Sequence, residues 1–143
     1  MIILDTNVIS ELMKTQKSAI VREWVAAQPL MSLFTTTITQ AEILYGIALL
    51  PEGKRREELS QTAQLMFSED FAGRVLAFDQ NAAVAFAYIA SQRRKNGTPI
   101  SQPDAQIAAI CYTHKATVAT RNVTDFEGCG ISIINPWKPE SIY

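Results

Sequence analysis

The sequence predicts an α/β fold with a mostly parallel central sheet covered by helices on both faces. Three observations predict it. Short apolar, β-favouring runs recur along the chain, and helical patterns of ten or more residues separate them. Connections of that length are crossovers, which join parallel neighbours rather than hairpin partners. The 143 residues are most economically one domain, 1–143, large enough to bury a core without staples.

The first strand is "IIL" (2–4), and it ends on a carboxylate, Asp5, ahead of a helix. Residues 18–27 carry Ile20, Val21, Trp24 and Val25 at the spacing of one helix face, and Pro29 ends the run. "SLFTT" (32–36) is the second strand, followed by a largely buried helix, "QAEILYGIALL" (40–50). Residues 52–67 form a helix with a charged first half and an apolar return. The third strand is "RVLAF" (74–78). Helix 80–95 begins Ala-rich and ends in Arg93, Arg94 and Lys95, which suit the negative end of a helix dipole, before Gly97 stops it. Helix 103–114, with Pro103 at or near its first position, leads into "TVAT" (117–120), and "ISII" (131–134) completes the sheet. Ligands of such sheets gather outside the carboxyl ends of the strands. Asp5 stands at one of those ends.

Composition excludes several function classes. With 48% hydrophobic and 19% charged residues the chain is neither disordered nor fibrous. Two cysteines, Cys111 and Cys129, are too few for a disulfide scaffold or a zinc site, and Cys111 in "AAICY" reads as a buried small hydrophobe. No apolar run approaches a membrane span and no leader opens the sequence, so a cytoplasmic protein is expected. There is no P-loop and no nucleophile elbow. A phosphoacceptor signalling domain would want paired acids after strand one, where "LDTN" has one. The lone histidine, His114, ends a helix, where the dipole favours a cation. A formal net charge of −1 argues against nucleic-acid binding by overall field alone.

Four further positions matter, and each has a plain structural reading. Asp5 could cap the helix that follows it. Thr39 and Glu42 in "TQAE" have capping-box spacing. Asp104 in "SQPD" sits three residues after a serine, and Asn122 in "NVTD" could cap a short turn bearing Asp125. Asp79 resembles Asp5 in following a strand and reads as an N-cap. The joint pattern says more than its parts: Asp5, Glu42 and Asp104 can all face one sheet edge. Carboxylates so grouped raise one another's pKa unless cations intervene. An all-oxygen donor set without a Cys/His cluster favours Mg²⁺ or Mn²⁺ over zinc.

Four stretches carry a family resemblance: "ILDTNVISEL", "AEILYGI", "SQPDAQIAAI" and "VATRNVTDFEGCGISIINPW". In this order and spacing they resemble the motifs of PIN-domain proteins, specifically the VapC/FitB group of toxin–antitoxin ribonucleases, over residues 1 to about 137. The resemblance implies a single-domain α/β/α sandwich and a Mg²⁺- or Mn²⁺-dependent endoribonuclease. It implies Asp5, Glu42 and Asp104 as catalytic metal ligands, with Asn122 at a fourth position where many relatives carry Asp. Thr6 and Thr120 match hydroxyls that orient the acids, and Asp125 stands in support. Arg121 is expected to contact substrate, whereas Lys54, Arg55, Arg56, Arg93, Arg94 and Lys95 read as solvated helix faces. The implied partners are a transfer or ribosomal RNA substrate, a cognate antitoxin that blocks the pocket, DNA only through that antitoxin, and a second copy in a homodimer. Residues 82–90, "AAVAFAYIA", are candidates for the dimer face and equally for core. The amide at 122 keeps a second reading open, an idle module acting through its antitoxin complex.

Overall fold

The computed structural model, which describes residues 1–140, contains a five-stranded sheet of order β3-β2-β1-β4-β5, parallel at every pairing. The last three residues of the expected domain lie outside the described residues. β1 is Ile2–Leu4, β2 Leu33–Thr36, β3 Val75–Leu76, β4 Thr117–Ala119 and β5 Ser132–Ile134. β3 pairs over fewer residues than "RVLAF" suggests, as befits an edge strand.

Successive strand residues point to opposite faces, and here each face has its own core. Leu4 and Ala119 face helices α1 (Thr6–Leu12), α2 (Ala19–Ala27), α3 (Thr37–Ala48) and α4 (Lys54–Leu65). Ile3 and Val118 face α5 (Gln80–Lys95), α6 (Gln102–His114) and α7 (Val123–Phe126). The chain winds outward through β1, β2 and β3 on one face, then returns across the other face to β4 and β5. Ile3, Leu4 and Val118 are wholly buried, each worth roughly 1.5–3 kcal/mol of apolar burial. Cys111 is wholly buried too, as its apolar setting implied. Among the described residues, no helix is long and apolar enough to cross a membrane.

Several local expectations are corrected. α3 begins before the 40–50 pattern, because the Thr36 side chain accepts a hydrogen bond from the Thr39 backbone N–H at 3.1 Å. Thr36 is therefore the cap, the Thr39–Glu42 capping box does not form, and Thr39 is a buried residue of the helix's first turn. In α2, Val21 and Trp24 are buried while Ile20 is exposed. The 52–67 pattern ends in a wide turn, Met66–Asp70, that buries Met66 and Phe67. Arg93 does not join a solvated face. It is buried, with Nε donating to the Thr98 carbonyl at 2.6 Å and Nη1 to the carbonyls of Asp125 and Glu127 at 2.9 and 2.8 Å. Those carbonyls lie 32 and 34 residues further along the chain, in α7 and just after it, so the guanidinium clamps the end of α7 onto α5.

Candidate active site

Winding reverses between β1 and β4, which makes their carboxyl ends the switch point where such sheets open a crevice. Asp5 leaves β1 there and is only 4% exposed. Its Oδ1 accepts the Thr6 N–H at 2.8 Å, which is the helix cap foreseen for it. Its Oδ2 does something a cap does not require: it accepts the Thr120 hydroxyl at 2.8 Å and the Asn7 side-chain amide at 3.3 Å. Both oxygens are thus served as acceptors, the arrangement an ionised carboxylate wants. Burial nevertheless dominates and raises Asp5 to about 6; the bonds from Thr120 and Thr6 oppose the rise, and the charges of Asp104 and Glu42 add to it.

Glu42 projects from the second turn of α3, which starts at the same edge because it follows β2. Its carboxylate accepts the Thr6 hydroxyl at 2.7 Å. The Thr6 and Thr39 hydroxyl oxygens lie 3.1 Å apart. Thr6 has one hydroxyl proton and gives it to Glu42, so Thr39 is the donor between them. A buried threonine of α3 thereby fixes a threonine of α1, which in turn fixes Glu42.

Asp104 lies in the first turn of α6, with its N–H donating to the Ser101 side chain at 3.4 Å. The serine is the cap, which leaves the Asp104 carboxylate without that duty. It is raised chiefly by burial, lowered by the Ser101 hydroxyl, raised by Asp125 and Glu42, and lowered by Arg93. Asp5, Glu42, Asp104 and Asp125 therefore share one electrostatic field, and Asp79 does not enter it. Asp79 caps α5 through a 2.9 Å bond from the Ala82 N–H, at the end of β3, two strands from β1 and so about 10 Å away.

Thr120 is wholly buried, and besides donating to Asp5 it accepts the Asn122 N–H at 3.0 Å and the Asn7 amide at 3.2 Å. Asn122 is exposed and its side chain does not cap α7, contrary to its structural reading. Arg121 is exposed; its N–H donates to Asn7 Oδ1 at 3.2 Å and its guanidinium lies 5.0 Å over the Trp137 ring. Asn7 escaped the sequence reading. It spans Asp5, Thr120 and Arg121 and ties the β1 end to the β4 end. The available signal was an amide two residues after a strand-end acid, in the first turn of the helix that acid caps.

The donor set of this mouth is oxygen alone, which suits a hard divalent cation and not zinc. In this conformation no three of the described acidic, cysteine or histidine side chains converge closely enough to chelate one ion; Asp5 and Glu42 are each held by their own hydroxyl partners.

A doubly wound parallel sheet with an acidic mouth at its switch point defines the structural class. The chain belongs to the PIN-domain family, whose model matches residues 2–127, and within it the chain stands with the VapC/FitB group. It is 44% identical to the plasmid stability protein StbB of Pseudomonas syringae pv. tomato, covering 96% of this chain and 99% of that protein. It is 42% identical to VapC ribonuclease Y4jK of Sinorhizobium fredii, covering 97% and 99%. The solved structure of FitAB bound to an IR36 DNA fragment superposes with a TM-score of 0.89 at 38% identity, over 96% of each chain.

Proposed function

We propose that this chain is the toxin of a type II toxin–antitoxin pair and a Mg²⁺- or Mn²⁺-dependent endoribonuclease. The observation that carries the reading is Asp5: a carboxylate buried at the switch point, furnished with donors on both oxygens, and still raised to about 6. A cap needs neither the burial nor the second set of donors. The name of the Sinorhizobium relative, a ribonuclease, supports the same reading.

Asp5, Glu42 and Asp104 would hold the cation, with the Asn122 amide oxygen as a weaker, uncharged fourth donor. When bound, the cation supplies charge neutralisation at the phosphate and lowers the pKa of a water. The chain's own contribution is placement. Thr120 and Asn7 orient Asp5, Thr39 orients Glu42 through Thr6, and Arg93 secures the backbone that carries Asp125. The reaction is hydrolysis: water oxygen bonds to phosphorus and one P–O ester bond breaks. A cleft of about 800 Å³ runs from Thr6 and Glu42 between α1, α3 and α4, lined by Ile43, Ile47 and Leu59. It leads directly into the mouth and suits an extended antitoxin segment that would block it, and FitAB on DNA supports DNA contact through the antitoxin. For a homodimer, α5 buries Ala82, Ala85 and Ile89 yet exposes Val84 and Tyr88, so "AAVAFAYIA" serves core and surface together.

Purified chain free of antitoxin should cut total bacterial RNA at discrete sites with Mg²⁺ or Mn²⁺ and not with chelator. A folded chain that neither binds Mn²⁺ nor cleaves would instead favour the idle module to which the Asn122 amide points. Asn7→Ala should weaken Mn²⁺ binding and slow cleavage, each roughly tenfold, with little change in melting temperature, because Asp5 keeps the Thr120 hydroxyl, Thr120 keeps the Asn122 N–H and the Arg121 N–H is exposed to solvent. Electron paramagnetic resonance titration of free Mn²⁺ reads the first and initial rates the second. Unchanged affinity and rate would reduce Asn7 to a turn former.

A further inference from the structure

Two loops leave the sheet side by side at the acidic mouth. The Thr120 N–H donates to the Ile134 carbonyl at 2.9 Å, which carries the β4–β5 pairing one residue past the Ala119↔Ile134 register. Arg121 comes next on one strand and Asn135-Pro136-Trp137 on the other. The second loop is a built turn. Buried Asn135 accepts the Trp137 N–H on its side-chain oxygen at 2.9 Å, and its carbonyl accepts the Lys138 N–H at 2.9 Å. Pro136 supplies the fixed φ that the second position of such a turn prefers.

That turn sets the indole half-buried against the core that includes Leu4 and Ala119, with the Arg121 guanidinium 5.0 Å over its centroid. From the other side the Arg121 backbone is tied to Asn7, whose amide donates to Asp5. Asp5, Asn7, Arg121 and Trp137 therefore form one continuous series of contacts from the mouth to the rim. A guanidinium over an indole turns only one of its sides to the ring. Arg121 is exposed, so the side of its guanidinium turned away from the ring remains open at the rim. An exposed contact of this kind adds little to stability, and the sequence nevertheless devotes a buried asparagine and a proline to holding it.

We infer that Arg121, held over the Trp137 ring, is a stacking platform for one unpaired base of the RNA strand next to the phosphate that is cut. The inference rests on the ribonuclease reading and deepens it. Bases in an A-form helix have their faces covered by their neighbours, whereas splayed bases of loops stack on aromatic rings and guanidinium planes. Arg121 is the contact residue and Trp137 the positioning residue. Lysine at 121 would keep the charge and lose the plane.

The test compares a labelled oligoriboadenylate with an abasic ribophosphate strand of equal length and charge, by fluorescence anisotropy, with Ca²⁺ in place of Mg²⁺. The wild-type chain should prefer the base-bearing strand roughly tenfold. Arg121→Lys should remove most of that preference while leaving the salt dependence of binding unchanged, since the charge is kept. Trp137→Ala should do the same, and Trp137→Phe should restore most of it. Arg121→Lys is the decisive variant because that side chain lies outside the core. Equal binding of both strands by the wild type, or full preference in Arg121→Lys, would overturn the platform and leave the ribonuclease reading standing. No binding of either strand by a chain that cleaves total RNA with Mg²⁺ would overturn the platform alone; no binding and no cleavage would overturn both.

Discussion

Asp5→Asn is expected to lower metal-dependent RNA cleavage by roughly 10²–10³-fold or more, and Asp104→Asn by a similar factor. The two substitutions test the site differently. At Asp5 the amide nitrogen must face a donor, either the Thr6 N–H or the Thr120–Asn7 pair, so charge and local geometry are lost together. At Asp104 the helix cap is Ser101, so the amide removes charge from the mouth and leaves α6 intact. If both variants lose activity while Asp104→Asn keeps the wild-type melting temperature, the loss belongs to chemistry and not to folding. Asp79→Asn is the internal control. It too follows a strand and caps a helix, asparagine caps as well as aspartate, and its cleavage rate should match the wild type. Initial rates on end-labelled RNA with Mg²⁺ and with Mn²⁺ decide the matter. Full activity in Asp5→Asn would sink the proposed site outright.

The contrast between Asp5 and Asp79 shows how far the sequence can be read. Strand periods, the crossover lengths and the arrival of Asp5 at a carboxyl end were legible because they depend on local pattern. The edge shared by Asp5 and Glu42 was legible too, whereas the spacing permitted Asp104 to join them without requiring it, because α6 follows another helix and not a strand. Which strand end matters was not legible locally, because strand order alone puts Asp5 at the switch point and Asp79 at an edge. Glu42 is legible as a site candidate, but its capping-box spacing misleads. The stretch "TTTITQAE" offers several threonines for one cap, and only the end of β2 selects Thr36. The roles of Arg93, Asn7 and Trp137 are hidden from local pattern for a common reason. Each works through a partner distant in the chain: Arg93 through the carbonyls of Asp125 and Glu127, Asn7 through Thr120, Trp137 through Arg121. Periodicity reports which face a side chain takes, not what waits for it there.

The buried acid also sets a stability gradient that the metal-free chain should display. Asp5 titrates near 6 in the fold and near ~3.9 in an unfolded chain, so between those values the native state binds the extra proton. Stability then falls as pH rises through this window. The contribution is fully present below the unfolded value and gone above the folded one. A displacement of two pKa units corresponds to about 3 kcal/mol. The raised Asp104 acts in the same direction, so the wild-type curve alone is not diagnostic. The difference between wild type and Asp5→Asn isolates the group. In urea unfolding with chelator, that difference should move against the wild type by about 3 kcal/mol from pH ~4 to above ~7 and then level off, whatever constant offset the lost hydrogen bonds impose. A flat or opposite trend would mean that the donors on Asp5 outweigh its burial. Mn²⁺ at about a hundredfold over its dissociation constant adds roughly 2.7 kcal/mol to a chain that binds it, close to the cost of the bare carboxylate. At neutral pH the cation should therefore restore the wild type and do little for Asp5→Asn. That pairing ties the strand-end acid to its ligand by a measurement in which no RNA is cut.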